Sequence, residues 1–502
     1  MSKVRFGPFC VDLERRELLR GDAVVALGNR AIDVLCALVA ANGDLVTKDE
    51  LMDLVWPGLT VEENNLQVQI SALRKALETG KDGPLYLVTV PGRGYRFMGL
   101  PGATSGRAPD DRELPDKPSI AVLPFENLGS DPEHEYFADG LAEDLITDLS
   151  QVSGLFVIAR HSSFAYKGKS ADVRSIARDL GVRYVLEGSA RRSAERVRIN
   201  VQLVDAIDGG LLWAERFDRS LDDVFKVQDE VTAKIVEALV GRLKATQLPD
   251  RKKPKNLEAY DLCVRARALL FRSTLALSEA RLMFERAIVL DPEFAEPHRW
   301  LAISWISAWL YVSEPMKTNR RRAFESAQKA LALDPKDAGT RWVHGMLLAH
   351  DRRWADAEAE FALALKLDPN NADAWAMRSE LMVLSGRTSD ALADIQKALR
   401  LNPHPPGMYY WFLGQAQYLD RQYDRAIHSL RREETYRTPS RRTLAASLAQ
   451  LGRLDEARRE AEMFMVSYPH FTIHHWTESL PFRDKKALQH FVDGYLKAGL
   501  PE

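Results

Sequence analysis

Short alternating bursts open the chain: VRFGPFCVDL at 4–13 and AVVAL at 23–27 read as strands. The apolar spacing then lengthens to threes and fours. Asn29 stands as a cap ahead of Ile32, Leu35, Leu38 and Val39, which predicts a helix through about Ala41. Thr47 followed by Glu50 is a capping-box signature for a second helix carrying Leu51, Leu54 and Val55, and Trp56-Pro57-Gly58 stops it. Leu66, Ile70, Leu73 and Leu77 fall on one face of a third helix within 61–77. After a breaker run, 86–90 reads as a strand, Pro91-Gly92-Arg93-Gly94 as a tight turn, and Tyr95-Arg96-Phe97 as the returning strand.

A Pro/Gly/Asp-rich linker covers 101–117, and the rhythm changes after it. Strand patterns at 120–125, 155–159 and 184–189 alternate with helix patterns at 137–150 and 173–180. Two alternating strands, 196–205 and 210–218, meet at an Asp208-Gly209 turn, and a helix over 224–243 closes an α/β unit.

The remainder is repetitive. Ala280, Phe284, Ala287 and Pro292 recur as Ala323, Ala327, Ala330 and Pro335, and again as Ala357, Phe361, Ala364 and Pro369. Further copies begin at Ala391 and Ala457, with a degenerate one at Ala426. Pro335, Pro369 and Pro403 stand 34 residues apart, whereas Pro292 and Pro335 are separated by 43, an insertion placed around a Trp-rich helix. Small residues let paired antiparallel helices approach, and each proline ends a second helix.

Candidate chemistry concentrates on the third helix. Opposite its leucines lie Asn64, Val68, Ser71 and Lys75, flanked by Gln67 and Arg74. Amides pair with adenine, cations with guanine or phosphate, and valine touches a thymine methyl, so this is a face suited to reading base edges. The plain alternative is a solvated outer face of a packed helix. A glycine-bounded turn tipped with Arg93 can approach a phosphate backbone or minor groove closely.

Charge does not favour nucleic acid as a whole. Net charge is −2, and the first hundred residues hold 12 Lys plus Arg against 13 Asp plus Glu. Attraction to DNA then rests on the local arrangement of Arg74, Lys75, Lys81, Arg93 and Arg96. Charged residues at 28% and hydrophobic ones at 46% read as a soluble globular protein, expected in the cytoplasm. Three scattered cysteines fit a reducing compartment, with Cys36 expected in the core. No secretory h-region opens the chain, and the apolar, uncharged run 300–313 is shorter than a membrane span.

Residues 3–100 resemble the OmpR/PhoB-type winged-helix DNA-binding domain, carried by Val61-Glu62, the Ile70, Leu73-Arg74-Lys75 and Leu77 helix, and the wing Val90, Gly92, Gly94-Tyr95-Arg96-Phe97. The resemblance implies a strand sheet, three helices and a wing, with the third helix in the major groove and Arg93, Tyr95 and Arg96 on the flank. It also implies a phosphate contact near Trp56, burial of that indole being the alternative. Family members frequently carry basic residues where Ser71 and Ala72 stand, which shifts the readout toward Asn64, Asn65, Gln67 and Arg93. A receiver domain is not apparent, so control is expected from the carboxy-terminal side. IAVLPFENLGSDPEHEYFADGLAEDLITDLS, VRYVLEGSARR and DGGLLWAERFDR resemble a TolB-like amino-terminal domain, and 255–470 resemble tetratricopeptide repeats.

The fold expected is therefore multidomain α+β: a winged helix-turn-helix at 1–100, an α/β TolB-like domain at 118–245, an all-α tetratricopeptide superhelix at 255–480, and a terminal helix at 481–502. The order resembles HilA-type activators. It implies a transcription regulator without catalytic residues, cofactor or metal, and no membrane. Its implied partners are promoter DNA, a protein in the repeat groove with RNA polymerase among the candidates, and a second copy of the chain. Groove candidates are Trp342, His344, Trp375, Tyr409 and Tyr410, with packing within the repeats the equal alternative for most of them, so no binding site is named there. Two rival readings stand beside it, an interaction scaffold and a nucleotide-handling enzyme. Against the latter, Gly168-Lys169-Ser170 has Ser163 where a phosphate loop needs glycine. Asp139, Glu143, Asp144 and Asp148 on one helix suggest metal or acid/base work, but their spacing equally describes a solvated acidic face, the commoner case. His470, His474 and His475 want a fourth metal ligand.

Overall fold

The computed structural model describes residues 3–97 apart from 7, 13–14, 22, 26, 42–45, 57–62, 78–85 and 91–93. It also describes 114–502 apart from 130, 132–133, 170, 194, 241–251, 271–273, 312–315 and 433–438. The chain divides into two compact units, Met1–Arg112 and Glu113–Glu502.

In the first unit, β1 (Lys3–Phe6), β2 (Phe9–Asp12), β3 (Glu17–Arg20) and β4 (Ala23–Val25) form an antiparallel meander in chain order. Helices α1 (Asn29–Ala40), α2 (Lys48–Val55) and α3 (Glu63–Ala76) follow. Gly28, rather than Asn29, caps α1, and no side chain bonds to its first turn. The Thr47 box is present: the Glu50 amide donates to Thr47 Oγ1 at 3.2 Å and the Thr47 amide to Glu50 Oε2 at 2.8 Å. Val46 and Thr47 also form β5, a two-residue strand that the apolar pattern does not reveal. It pairs with β7 (Gly94–Phe97), which pairs in turn with β6 (Leu87–Val90). Phe6 packs edge-on against Phe97 at 4.8 Å and Tyr86 at 5.2 Å, tying the first strand to the base of the wing.

The second unit starts with β8 (Ser119–Val122), β9 (Glu126–Asn127), α4 (Glu135–Ser150), β10 (Phe156–Val157), α5 (Arg160–Phe164) and α6 (Val173–Leu180). Then come β11 (Tyr184–Arg192), β12 (Arg196–Asp205), β13 (Gly210–Ser220) and α7 (Val224–Val240). The sheet order is β10-β8-β11-β12-β13, with β9 beside β11. Its first three strands are parallel and its last two antiparallel. Gly209, at φ +70°, makes the β12–β13 turn.

Antiparallel helix pairs complete the unit: α8 (Leu257–Leu269) with α9 (Thr274–Leu290), α10 (Ala295–Tyr311) with α11 (Met316–Leu333), and α12 (Ala338–His350) with α13 (Trp354–Leu367). They continue as α14 (Ala372–Leu384) with α15 (Thr388–Leu401), α16 (Gly407–Leu419) with α17 (Tyr423–Leu430), and α18 (Arg441–Gln450) with α19 (Leu454–Ser467). Two further helices, α20 (Ile473–Ser479) and α21 (Lys485–Lys497), follow, and α21 packs on α18. The periodic small residues Ala323, Ala357 and Ala391 are fully buried, which lets the helices approach. The longer second repeat is a pair of longer helices, 17 and 18 residues against 13 and 14 in the next pair. Among the described residues no helix is long and apolar enough to cross a membrane.

The α/β layer and the repeats share one core. The acidic side of α4 is not a solvated face. Asp144 and Asp148 are each 3% exposed: Asp144 accepts from Tyr260 Oη at 2.7 Å, and Asp148 pairs with Lys253 at 3.0 Å. Glu143 pairs with Arg160 at 2.9 Å, and Asp139 with Lys167 at 2.6 Å. The Asp/Asn-Pro corners between repeats dock on the same layer. Asp368 accepts from Ser150 Oγ at 2.9 Å, and Asn370 donates to the Ser150 and Leu155 carbonyls at 2.8 and 3.2 Å. One repeat later, Asn402 accepts from Ser162 Oγ at 2.5 Å, the Ala159 amide donates to the Leu401 carbonyl at 2.8 Å, and His404 lies 2.7 Å from Asp179.

Candidate nucleic-acid interface

The third helix of the first unit is fixed from below. Leu66, Ile70, Leu73 and Leu77 are all under 5% exposed, so the side of α3 that points away from the core is set by burial. Asn65, Gln67, Ser71, Arg74 and Lys75 are exposed on that side. Val68, 59% exposed, lies at the centre of this polar stripe. From Asn65 to Lys75 the stripe is about 15 Å long at 1.5 Å per residue, commensurate with a major groove about 12 Å wide. Arg74 and Lys75 occupy the last turn of α3, where cations also complement the helix dipole. Asn64 lies in α3, but its side chain is outside the described residues.

Two candidates belong to the core instead. Trp56, the C-cap residue of α2, is 8% exposed, with the Arg30 guanidinium over its ring at 5.9 Å. Arg30 also donates to the Val55 carbonyl, so it clamps the end of α2. Tyr95 is 4% exposed in β7, opposite Val46. Both rings are buried, Trp56 beside Arg30 at the end of α2 and Tyr95 where β5 pairs with β7. The Arg30 partnership was not anticipated, although a cation at the start of α1 was visible.

The wing is partly described. β6 and β7 form its two strands, with Arg96 opposite Val88; the Arg96 side chain, Arg93 and the turn 91–93 lie outside the described residues, as do Val61 and Glu62. Gly94 has a packing reason beyond closeness to DNA. A Cβ there would stand 2.1 Å from the Val46 carbonyl oxygen and 2.8 Å from Thr47 Cα, so the crossing of β5 demands glycine.

In the second unit the repeat residues proposed for a groove are engaged within the repeats. Tyr409 donates to Asp373 at 2.7 Å, the Trp375 indole donates to the Pro369 carbonyl at 3.0 Å, and His344 lies 3.1 Å from Glu360. Tyr410 is buried beneath the Arg432 guanidinium at 4.1 Å, and Trp342 packs against the core. Among the described residues there is no group of three or more His, Cys, Asp or Glu side chains placed to hold a metal ion. Burial raises the Cys36 thiol in α1 above its usual range, with Asp33 adding to the shift.

In comparison with known proteins, two segments are similar to described families. Residues 22–97 match the family described as "Transcriptional regulatory protein, C terminal", and residues 116–234 match "HilA/YgeH-like transcriptional regulator, second domain". Among individual relatives, "Putative adenylate cyclase 3" of Rhizobium meliloti is 50% identical over 253 residues, 49% of this chain and 43% of that protein. "Transcriptional activator CadC" of Escherichia coli is 35% identical over 96 residues, 19% of each chain. "Transcriptional regulator HilA" of Salmonella typhimurium is 32% identical over 145 residues, 28% of this chain and 25% of that protein. This chain thus covers less than half the length of each of these relatives.

Proposed function

We propose that the chain is a sequence-specific DNA-binding transcription regulator of the cytoplasm. In this reading α3 lies in the major groove, with Asn64, Asn65, Gln67, Val68 and Ser71 toward base edges and Arg74 and Lys75 toward phosphates. The turn carrying Arg93, with Arg96 behind it, follows the flanking backbone. The α/β layer and repeats act as one body that receives a signal or a protein partner, RNA polymerase being the partner to test first. The observation that carries the reading is the exposed polar stripe with Val68 at its centre, on a helix whose other side is locked into the core. The family match of residues 22–97 and the names of the relatives support it.

The test is binding of the full chain to genomic fragments at two salt concentrations. Selection of particular fragments, with affinity falling steeply as salt rises, is expected. Failure to select any fragment, or binding indifferent to salt, would overturn the reading in favour of a protein-binding scaffold. The name of the Rhizobium relative favours one second reading, a nucleotide-handling role. Titration calorimetry of the chain with ATP and with GTP decides it, and no heat is expected.

A further inference from the structure

The strand β13 ends the six-stranded sheet, and among the described residues no strand pairs with its outer edge. A long open edge leaves amides and carbonyls available to another chain. Leu203 faces Trp213 while Val204 faces Leu211, so Leu212 is the extra residue of a bulge on β13. The bulge confines regular pairing on the outer edge to residues 213–220. At the far end the Leu221 amide donates to the Glu195 carbonyl. Such bonds recur at every second residue of an antiparallel ladder, so odd-numbered residues of this run bond to β12. Ala214, Arg216, Asp218 and Ser220 therefore turn their backbone groups outward.

We propose that this edge pairs with the same edge of a second copy of the chain, antiparallel about a two-fold axis through Phe217. The sequence of the run, WAERFDRS, is self-complementary about that residue. Residues equidistant from Phe217 face one another, so Arg216 meets Asp218 of the second copy and Glu215 meets its Arg219. Each pair occurs twice. An axis through Glu215, Arg216, Asp218 or Arg219 would instead set a charge against its own copy, which disfavours those registers. Direct partners in an antiparallel pair share a sheet face, so the axis must pass through a residue rather than between two. The outward groups of the four even-numbered residues then form the ladder, with Ala214 opposite Ser220.

Asp218 already accepts on both carboxylate oxygens from Arg196 and Arg198, so Arg216 of the second copy would join that charge cluster rather than meet a free carboxylate. Arg216 is exposed and has no ion pair among the described residues. Asp218 is held from within the chain by Arg196 and, at 2.8 Å, by Arg198, so it stands ionised and oriented on the same sheet face as Arg216. On the other face Glu215 lies 3.4 Å from Lys234, and Arg219 lies 3.9 Å from Glu230, contacts loose enough to be shared. The two-fold arrangement is isologous and closes on itself, so it yields a dimer rather than a fibre.

Sedimentation velocity of the full chain without DNA, from sub-micromolar to tens of micromolar, tests the proposal independently of any DNA activity. A species of twice 56.6 kDa is expected. Arg216→Asp places like charges opposite each other and should weaken association at least tenfold, with unchanged circular dichroism and melting. Ala214→Pro removes an outward amide and should act in the same direction. In the double variant A214C/S220C, mild oxidation should link two chains, whereas the wild type under the same conditions should not. A wild type that stays monomeric throughout, or an Arg216→Asp chain that dimerises as the wild type does while A214C/S220C gives no cross-link, overturns it.

Discussion

At the scale of single residues, the exposed side of α3 divides into two kinds of group. Arg74 and Lys75 stand on the last turn of α3, and in the proposed complex they would meet phosphate without regard to sequence. Arg74→Ala should weaken binding uniformly across DNA sequences and reduce the salt slope by about one unit, read from titrations at several salt concentrations. Asn64→Ala should leave that slope alone and relax preference at one base pair by about 1–3 kcal/mol, read by competition among single-substitution operators. The stripe itself was legible in the sequence, because four leucine-type positions at helical spacing dictate the opposite face. The fates of Trp56 and Tyr95 were not. Whether an aromatic ring near a helix end reaches DNA or is buried depends on what folds over it, here Arg30 and β5.

At the scale of elements, β5 is the instructive strand. Two residues long, it carries no period of its own, yet it fixes the wing by pairing with β7. Its crossing explains Gly94, which the sequence offered only as part of a turn. Gly94→Ala should destabilise the first unit by about 2–3 kcal/mol, because backbone of Val46 and Thr47 must shift to admit a Cβ. Denaturant unfolding of the full chain, with the carboxy-terminal transition as internal control, measures it. Helix starts behave in the same way: Thr47 caps by a local box and was readable, whereas Gly28 takes the place expected of Asn29.

At the scale of the whole molecule, the seam in the second unit matters most. Asp368 lies in an inter-repeat corner, 4% exposed, and burial pushes its carboxyl up to about 6 from the ordinary 3.8. Between about pH 4 and pH 6 the folded unit therefore holds a proton that the unfolded chain has released. This contribution to stability is complete in acid and is lost as pH rises through about 6. Asp368→Asn should remove that loss, so the difference in stability between variant and wild type should grow in favour of the variant by about 2–3 kcal/mol from pH 4 to pH 8. Thermal unfolding across that range checks it; a constant difference would mean that the corner carboxyl is already ionised at low pH.

What the sequence by itself determined is what short-range periodicity encodes: the leucine face of α3, the strand–helix alternation after residue 118, and the 34-residue repeat. Each depends on residues within a few turns of one another, and the burial pattern follows it. What only the tertiary structure decided is which surface each element meets. The carboxylates of α4 have the spacing of a solvated face, yet Asp144 and Asp148 are buried because Tyr260 and Lys253 come to them from more than a hundred residues away. The same holds for Asp368 against Ser150 and for Gly94 under Val46. A side chain's local neighbours set its helix or strand, but its solvation, charge state and partners are set by chain segments that only folding brings near.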